Sequence, residues 1–369
     1  LLLCVLRPFR SRRRLDDLPD AELPGVVMVV AAYNEADVIA DKVANFLSID
    51  YPDERLRLLI GSDGSDDGTA GAALAAAAGS GRVEVREFSE RRGKVNVLNE
   101  LVPSVDAPVV LFSDANTMYD APAVRKLVRH FADAKTGGVC GRLVLLASGG
   151  DPADAERLYW AYENRIKTLE GRSGDLTSIN GQVFAIRREL FETMPPDSLT
   201  EDEFLGLKII SRGFRIYYEP EALVTETAGA LKDEMNRRLR ISAGNFQTLF
   251  RIGLRILNPL NGFPAFAYLS HKVLRWLIPF GMLAAFIGNA FVLRLPLFAG
   301  LMAAQVLFYG AAAIGAASAA AGRLPPVRIA RYFVLMNAMI ACGFFKYLGG
   351  VKGASWQTRG RNKNTHPEH

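Results

Sequence analysis

Hydrophobic and polar residues follow two different patterns along the chain. Over the first two thirds, short runs rich in Val, Ile and Leu alternate with segments whose apolar residues recur at helical spacing. The runs at residues 25–32, 56–62 and 109–113 contain few polar side chains, as do strands that are buried on both faces of a parallel sheet. Strands that alternate with helices predict an α/β fold with a doubly wound, mostly parallel sheet and right-handed crossovers.

The segments between and after these runs extend the predicted sheet and its covering helices. Further strands are expected near residues 83–86, 137–146 and 176–186. Helices are expected after residue 35, at 72–78, from about 95, after Pro122, at 158–169 and at 201–211.

After about residue 263, charged residues become rare. Residues 276–293 and 295–322 contain no charge over 18 and 28 positions, and each run can cross ~30 Å of hydrocarbon as one arm of a hairpin. Residues 263–275 place apolar and basic positions on opposite sides, which predicts an amphipathic interfacial helix. A last apolar run at 332–345 has only 14 residues, so a span, a re-entrant helix and an interfacial helix all stay open.

Composition and charge fit a membrane-bound protein whose α/β part faces a reducing compartment. The apolar run 1–6 is interpreted as the end of an N-terminal transmembrane helix, and basic clusters beside apolar spans predict cytoplasmic flanks. Three scattered cysteines do not form a disulfide framework or a zinc motif. The net charge is +5 without interleaved aromatic residues, which argues against a nucleic-acid site. The predicted segments are a membrane anchor and linker (1–24), a catalytic domain (25–250), interfacial helices (251–275), membrane helices (276–351) and a basic cytoplasmic tail (352–369).

The predicted strand at 109–113 ends at Asp114, and Asn116 follows two positions later. In open α/β sheets, ligands bind outside the carboxyl ends of the strands, so Asp114 is expected to face a site there. A carboxylate and an amide carbonyl from one turn suit a hard divalent cation, which typically bridges substrate phosphates. The sequence therefore predicts a site for a cation and a phosphorylated ligand at this edge.

Asp63 ends another predicted strand and is followed by a turn rich in Gly and Asp. Its carboxylate is suited to accept hydrogen bonds from a nucleotide base. A calcium loop is disfavoured because Leu74 stands where that motif needs a bidentate Glu, whereas a solvated turn stays open. Lys94 is a candidate cation for a pyrophosphate, although residues 91–94 depart from the P-loop pattern, and a solvated basic turn is the alternative.

Thr200, Glu201 and Asp202 begin the helix predicted at 201–211. As structural residues, the threonine would cap the helix and the acids would complement its dipole. As functional residues, one acid near the cation would remove a proton from a sugar hydroxyl. The basic cluster at 237–240 suits either a bidentate clamp on a diphosphate or contact with anionic lipid headgroups.

Together these residues resemble the family 2 glycosyltransferases of the GT-A fold, in particular the membrane-bound branch that includes cellulose, hyaluronan and poly-N-acetylglucosamine synthases. The resemblance extends in the same order from about residue 26 to 247. Its motifs are Ala32-Tyr33-Asn34-Glu35, Ser62-Asp63-Gly64-Ser65-Asp66-Asp67-Gly68-Thr69, Gly93-Lys94 to Asn99, Asp114-Ala115-Asn116, Asn180-Gly181-Gln182 and Thr200-Glu201-Asp202.

The resemblance implies a role for each motif. The nucleotide and donor would be bound by Ala32, Tyr33, Glu35, Asp63, Ser65, Lys94, Asp114, Ala115 and Arg240. The loop beside the donor sugar and acceptor would comprise Asn180, Gly181 and Gln182, with Glu201 beside it. Mg²⁺ or Mn²⁺ would bind to Asp114 and Asn116, and Asp202 would be the catalytic base.

These roles imply an inverting glycosyltransferase with a UDP-linked donor and a lipid-linked or growing polysaccharide acceptor. The enzyme would lie in the bacterial plasma membrane with its catalytic domain in the cytoplasm. Two departures matter: Asn116 is a neutral ligand, and Ile241 removes the aromatic residue that ends the Gln-x-x-Arg-Trp motif of processive synthases. A processive synthase and a non-catalytic membrane sensor of a nucleotide or nucleotide sugar are the alternatives. A transporter is disfavoured because the apolar spans lack an ionisable pair at midplane depth.

Overall fold

The computed structural model describes residues 15–146, 154–171, 176–227 and 231–350. The predictions for the apolar N-terminal run at 1–6 and for the basic tail at 352–369 lie outside the described residues.

The described strands form one mixed sheet in the order β3-β2-β1-β4-β7-β6-β8-β5. Their bounds are β1 Val26–Ala32, β2 Leu56–Asp63, β3 Val83–Phe88, β4 Val109–Ser113, β5 Thr117–Tyr119, β6 Thr136–Leu146, β7 Phe184–Arg187 and β8 Arg215–Thr227. Strands β1 to β4 are parallel to their neighbours in this group, and β6 is parallel to β8. β1 is wholly buried because it pairs with β2 on one side and β4 on the other, as its apolar run predicts.

Strand β7 is reversed relative to both of its neighbours. It pairs antiparallel with β4, so that Phe184 lies opposite Phe112, and antiparallel with β6. The residues before β7 therefore lie at the same edge of the sheet as the residues that follow β4. Strand β5 is also antiparallel to its neighbour, β8.

Helices cover both faces of the sheet. The described α-helices longer than one turn, including those beyond the sheet, are α1 Ala36–Leu47, α2 Thr69–Ala77, α3 Lys94–Leu101, α4 Ala123–Val128, α5 Asp154–Gly171, α6 Glu201–Ser211, α7 Leu231–Thr248, α8 Phe263–Tyr268, α9 Leu274–Phe291, α10 Pro296–Ala317 and α11 Pro325–Leu348. One core packs α1, α2 and α4 against the sheet, and the other packs α3 and α6. The second core continues through Phe246 of α7 into Trp276 of α9. These two cores confirm the doubly wound α/β fold.

The strand predicted at 176–186 is wrong over most of its length, because strand geometry begins only at Phe184. Apolar residues in this run are buried without forming a ladder, and Thr177 and Ser178 bond to carboxylates of α5 instead. The long strand β8 has no counterpart among the predicted elements. Its turn-like Glu-Pro-Glu sequence at 219–221 lies beside a shift in its pairing register with β6.

Among the described residues, three helices are long and apolar enough to cross a membrane, judged by length and composition: Phe263–Phe291, Pro296–Ala317 and Pro325–Leu348. The first continues from α8 through a π-helical turn, Leu269–Val273, into α9. The last apolar run is part of the 24-residue helix α11, because Arg328 and Arg331 interrupt the apolar pattern without ending the helix. At 1.5 Å per residue, this helix rises about 36 Å.

Candidate active site

The carboxyl ends of β1, β2 and β4 meet at one edge of the sheet and carry the predicted motifs. The turns after β1 and β2 are joined by hydrogen bonds between Asn34 and Asp66, from Asn34 N to Ser65 Oγ at 3.2 Å, and from Glu35 N to Thr69 Oγ1 at 2.9 Å. Asn34 has a φ of 52°, which allows the chain to turn sharply after β1. Ala32 is buried beneath this pair of turns.

Asp63 fastens the loop that carries Lys94. Its carboxylate is fully buried and accepts hydrogen bonds from the backbone N–H of Arg92 at 2.7 Å and of Gly93 at 2.8 Å. A role for Asp63 in contacting a base stays a prediction. The calcium-loop alternative does not fit, because Asp67 bonds to Ala36 N and Thr69 rather than converging with Asp63 on one point.

The exposed Arg91 stacks over Tyr33, one of the predicted nucleotide contacts. The Arg91 guanidinium lies 3.9 Å from the centroid of the Tyr33 ring. Cations over aromatic faces are attracted by the ring quadrupole, and a flat base can take part in the same stacking. Arg91 is therefore an addition to the predicted site, and its only sequence signal is its place beside Lys94.

Lys94 joins the predicted cation motif to the helix that carries the candidate base. Its Nζ lies 2.7 Å from Asp114 Oδ1 and 2.8 Å from Glu201 Oε1. Burial by itself lowers the pKa of an ammonium group, but the charges of Asp114 and Glu201 outweigh burial and raise the pKa of Lys94. Lys94 is thus held as a cation between two motifs that are far apart in sequence.

Glu201 and Asp202 are adjacent acids with opposite pKa shifts. Burial raises the pKa of a carboxyl, but the charges of Lys94 and Arg240 outweigh burial and lower the pKa of Glu201. Burial and the negative charge of Glu201 raise the pKa of Asp202 to about 6. Two acids whose environments separate their pKa values in this way are suited to different roles in proton transfer.

Two backbone donors fix the carboxylate of Asp202. Oδ2 accepts from the N–H of Gly181 at 2.8 Å, and Oδ1 accepts from the N–H of Glu203 at 2.8 Å. The loop predicted to lie beside the donor sugar and acceptor therefore contacts the predicted base directly. Thr200 is at the N-cap position, but its hydroxyl bonds to Thr248 of α7 at 3.0 Å and makes no cap hydrogen bond.

Asn180 and Gln182 of the same loop are held by hydrogen bonds from other elements of the domain. Asn180 Oδ1 accepts from the buried Lys167 of α5 at 2.6 Å. The backbone carbonyl of Gln182 accepts from the Tyr119 hydroxyl at 2.9 Å. A small cavity beside the loop is lined by Lys94, Leu98, Phe112, Gly181, Phe184, Met194, Glu201, Asp202 and Leu205.

The turn with Asp114, Ala115 and Asn116 lies against two charged residues that sequence reasoning missed. Asn116 Nδ2 donates to Glu226 Oε1 of β8 at 3.2 Å, and Glu226 is buried. Lys42 of α1 is also buried and donates to Ser113 Oγ at 2.7 Å and Thr117 O at 2.6 Å, on both sides of the turn. Lys42 had a detectable signal, since it interrupts the apolar face of α1. Within the described ranges, no three His, Cys, Asp or Glu side chains converge as a metal site.

The basic cluster at 237–240 does not act as one clamp. Arg240 Nη1 donates to the carbonyl of Leu199 at 2.9 Å, close to the charge of Glu201. Arg238 instead reaches Met336 Sδ of α11 at 2.8 Å. Of these two, the structure brings only Arg240 to the predicted site.

Comparison with known proteins identifies the family to which the chain belongs. The family model described as Glycosyltransferase like family 2 matches residues 24–244. A poly-beta-1,6-N-acetyl-D-glucosamine synthase from Staphylococcus aureus is 29% identical over 250 residues, which cover 65% of this chain and 59% of the relative. The synthase of the same name from Staphylococcus epidermidis is 26% identical over 254 residues, which cover 66% of this chain and 60% of the relative. The chain thus spans about three fifths of the length of these curated relatives.

A solved structure extends the similarity of fold into the helical C-terminal region. A mannosyltransferase from Pyrobaculum calidifontis, in complex with GDP-Man and Mn2+, matches with a TM-score of 0.69 and 24% identity over 94% of both chains. At this level of identity the match supports the fold. With the family match over residues 24–244, it leads to one conclusion: the chain belongs to the family 2 glycosyltransferases, has a GT-A fold, and is related to polysaccharide synthases.

Proposed function

We propose that this glycosyltransferase moves a sugar, with inversion at the anomeric carbon, from a UDP-linked donor to a lipid-linked or growing polysaccharide acceptor. The observation that carries the proposal is the contact of Lys94 with both Asp114 and Glu201. Through this contact, the side chain of Lys94 links Asp114, at the diphosphate end of the predicted donor site, to Glu201 in the helix that carries Asp202. A donor and an acceptor bound on these two sides would meet at Asp202.

The residues around Asp114 suit a divalent cation. Asp114, Asn116 and Glu226 offer oxygen donors, which Mg²⁺ and Mn²⁺ prefer, and the contact between Asn116 and Glu226 brings a second carboxylate to the turn. Such cations commonly take only one or two carboxylates from the protein and the rest from substrate phosphates and water. When bound, the cation would neutralise charge on the leaving diphosphate. Asp114 and Asn116 would hold it, with Glu226 as a further candidate ligand.

The chain's own groups account for the remaining requirements of the reaction. Lys94 supplies positive charge beside the predicted diphosphate position. Asp202 accepts the proton of the acceptor hydroxyl while the hydroxyl oxygen bonds to the anomeric carbon. The bond from that carbon to the diphosphate breaks on the opposite face, and its electron pair stays with the diphosphate. Because no covalent intermediate forms, one catalytic base is sufficient.

The helices that can cross a membrane support an acceptor at a membrane surface, and we place the catalytic domain on the cytoplasmic side, where nucleotide sugars are made. The interfacial role of residues 251–275 belongs to this proposal. The names of the curated relatives favour N-acetylglucosamine as the first sugar to test. Ile241, beside Arg240, favours short products over long chains.

The test is transfer from a panel of nucleotide sugars by the full chain in nanodiscs, with Mn²⁺ and a membrane lipid extract, followed by mass analysis of the products. We expect transfer from a UDP-sugar that stops when Asp202 is changed to Asn. Glu192→Gln, at a surface ion pair with Lys208, is the control. Long ladders of product would instead establish a processive synthase. Tight nucleotide binding without turnover, unaffected by Asn116→Asp, would identify a sensor and refute the proposal.

A further inference from the structure

The π-helical turn Leu269–Val273 and the first residues of α9 lie inside the first membrane-length helix, Phe263–Phe291, and contact the catalytic domain. We call residues 269–275 the junction segment. It carries three basic side chains, at positions 271, 272 and 275, that point into the catalytic domain. A π-helical turn inside an α-helix often marks a functional site, because the extra residue redirects the side chains around it.

Lys272 of the junction segment pairs with Glu203, the residue next to the candidate base. Its Nζ lies 2.9 Å from Glu203 Oε2, and both side chains are buried. The backbone N–H of Glu203 in turn donates to Asp202 Oδ1. Removing one partner of a buried ion pair leaves a charge without compensation, so this contact strongly constrains the first turn of α6.

Glu170 of α5 connects the junction segment to the start of the loop at residues 176–183, which precedes β7. Its Oε1 contacts Nδ1 of His271, and its Oε2 accepts hydrogen bonds from the backbone N–H and hydroxyl of Thr177 at 3.4 and 3.5 Å. One buried carboxylate therefore holds a residue of the membrane-directed helix and a residue of the loop at the same time.

Glu163 of α5 repeats this arrangement one residue further along the loop. Its Oε2 accepts from Arg275 Nη1 at 2.8 Å, and its Oε1 accepts from Ser178 Oγ at 3.4 Å. The loop continues to Gly181, whose N–H holds the other oxygen of Asp202. Both hydrogen bonds to Asp202 thus come from backbone segments that the junction segment fastens.

We propose that Lys272 is a positioning residue for Asp202 and that the junction segment couples the placement of the first membrane-length helix to the geometry of the base. The role of Asp202 rests on the function proposed above; the mechanical coupling rests on the contacts alone. A displacement of the helix would move the base and its loop together. A shift of about 1 Å at a reacting group costs ~100-fold in rate.

The test compares Lys272→Met with Lys272→Arg and with Lys208→Met, all in the full chain in nanodiscs. Lys208 lies near the other end of α6 and pairs with Glu192 at 3.1 Å, so it serves as a matched control on the same helix. The first measurement is amide hydrogen exchange at residues 176–182 and 200–204. The second is kcat and donor KM, normalised to the number of nucleotide-binding sites.

For Lys272→Met we expect faster exchange in both segments and a kcat at least ~10-fold lower at an unchanged donor KM. Lys272→Arg should restore both to within ~3-fold, and Lys208→Met should match the parent. If Lys272→Met does not fold, Arg275→Met replaces it, with faster exchange expected at residues 176–180. Unchanged exchange, unchanged kcat, or an equal effect of Lys208→Met would overturn the coupling. If the parent transfers no sugar from any donor, the proposed function fails, and the exchange data alone decide the coupling.

Discussion

Gly181 donates its backbone N–H to Asp202 Oδ2 over 2.8 Å, which joins the loop before β7 to the first turn of α6. A Cβ at position 181 would lie 3.1 Å from both the Cβ and the Oδ2 of Asp202. This spacing is tighter than ordinary van der Waals contact, so a side chain at position 181 would push against the candidate base. Close approach is therefore the reason for glycine at this position.

Gly181→Ala should lower kcat by up to ~10-fold, because the added methyl group would shift Asp202 by a few tenths of an ångström. Donor KM should change little, since the nucleotide half of the site is not touched. Steady-state kinetics on the full chain measures both. Gly71→Ala is the control, because a Cβ there would have no neighbour within 4 Å. Equal kinetics for the two alanine variants would contradict the placement.

The rate of transfer should depend on the protonation of Asp202, whose pKa burial and Glu201 raise to about 6. Because the base acts only when ionised, kcat/KM should rise about tenfold per pH unit below pH 6 and level off above it. Asp202→Asn should abolish this rise, the acid limb of the pH–rate profile, and lower the rate by ~10²- to 10⁴-fold. A pH–rate profile from pH 4.5 to 8 measures the limb, and a limb that persists in the variant would assign it to another group.

The same pKa shift has a consequence for stability. A carboxyl whose pKa is higher in the folded state than its ordinary value of 3.8 binds its proton more tightly when folded. Its stabilising contribution is therefore present below about pH 4 and is lost as pH rises through about 6. Relative to the parent, Asp202→Asn should gain thermal stability between pH 4 and 7. A constant difference in melting temperature across this range would argue against the raised pKa.

Lys94→Met should move the acid limb of the pH–rate profile to higher pH. The positive charge of Lys94 lowers the pKa of Asp202 and so opposes the effects of burial and of Glu201. Without Lys94, the negative charge of Glu201 acts on Asp202 with less compensation. Lys135→Met, at an exposed lysine, should leave the limb in place. A limb that stays put or moves to lower pH in Lys94→Met would exclude this interaction.

Affinity for Mn²⁺ should depend on Glu226 and Asn116. Glu226→Gln removes a carboxylate beside the turn and should weaken Mn²⁺ binding in the presence of UDP by ~10-fold or more. Asn116→Asp adds a charged ligand and should strengthen it. Electron paramagnetic resonance of free Mn²⁺ gives the dissociation constants without any need for turnover. If Glu226→Gln binds Mn²⁺ as tightly as the control Glu192→Gln, Glu226 is not a ligand.

The sequence predicted the elements whose local signals agree. The apolar runs that became β1 and β4 are uninterrupted because both faces of these strands are buried, and the run of β2 is interrupted only by the exposed Arg57. The helix at 201–211 has acids at its start and Gly213 after its end. The motifs that end these elements were also recognisable, since each polar residue follows an apolar run directly. Their convergence at one edge follows from the parallel arrangement of the strands.

Contacts between distant segments could not be read in this way. Glu226 bonds to Asn116 across 110 residues, and the strand that carries it, β8, was not among the predicted elements. The loop at 176–183 has the apolar residues of a strand, but buried carboxylates from α5 replace the expected ladder partners. The ion pairs between the junction segment and the catalytic domain were not predicted either, because the basic residues of this segment were expected to face solvent or lipid headgroups.

The reversal of β7 has a consequence for changing the specificity of this enzyme. Turns that follow β1, β2 and β4 supply the predicted nucleotide contacts, whereas the loop that precedes β7 supplies the predicted contacts with the donor sugar and the acceptor. Two stretches of opposite chain direction, more than sixty residues apart in sequence, therefore lie at the same edge of the sheet. Exchange of Asn180 and Gln182 for the residues of a relative should alter the sugar or the acceptor that is used without altering nucleotide binding, and this separation makes the two positions suitable targets for engineering new glycans.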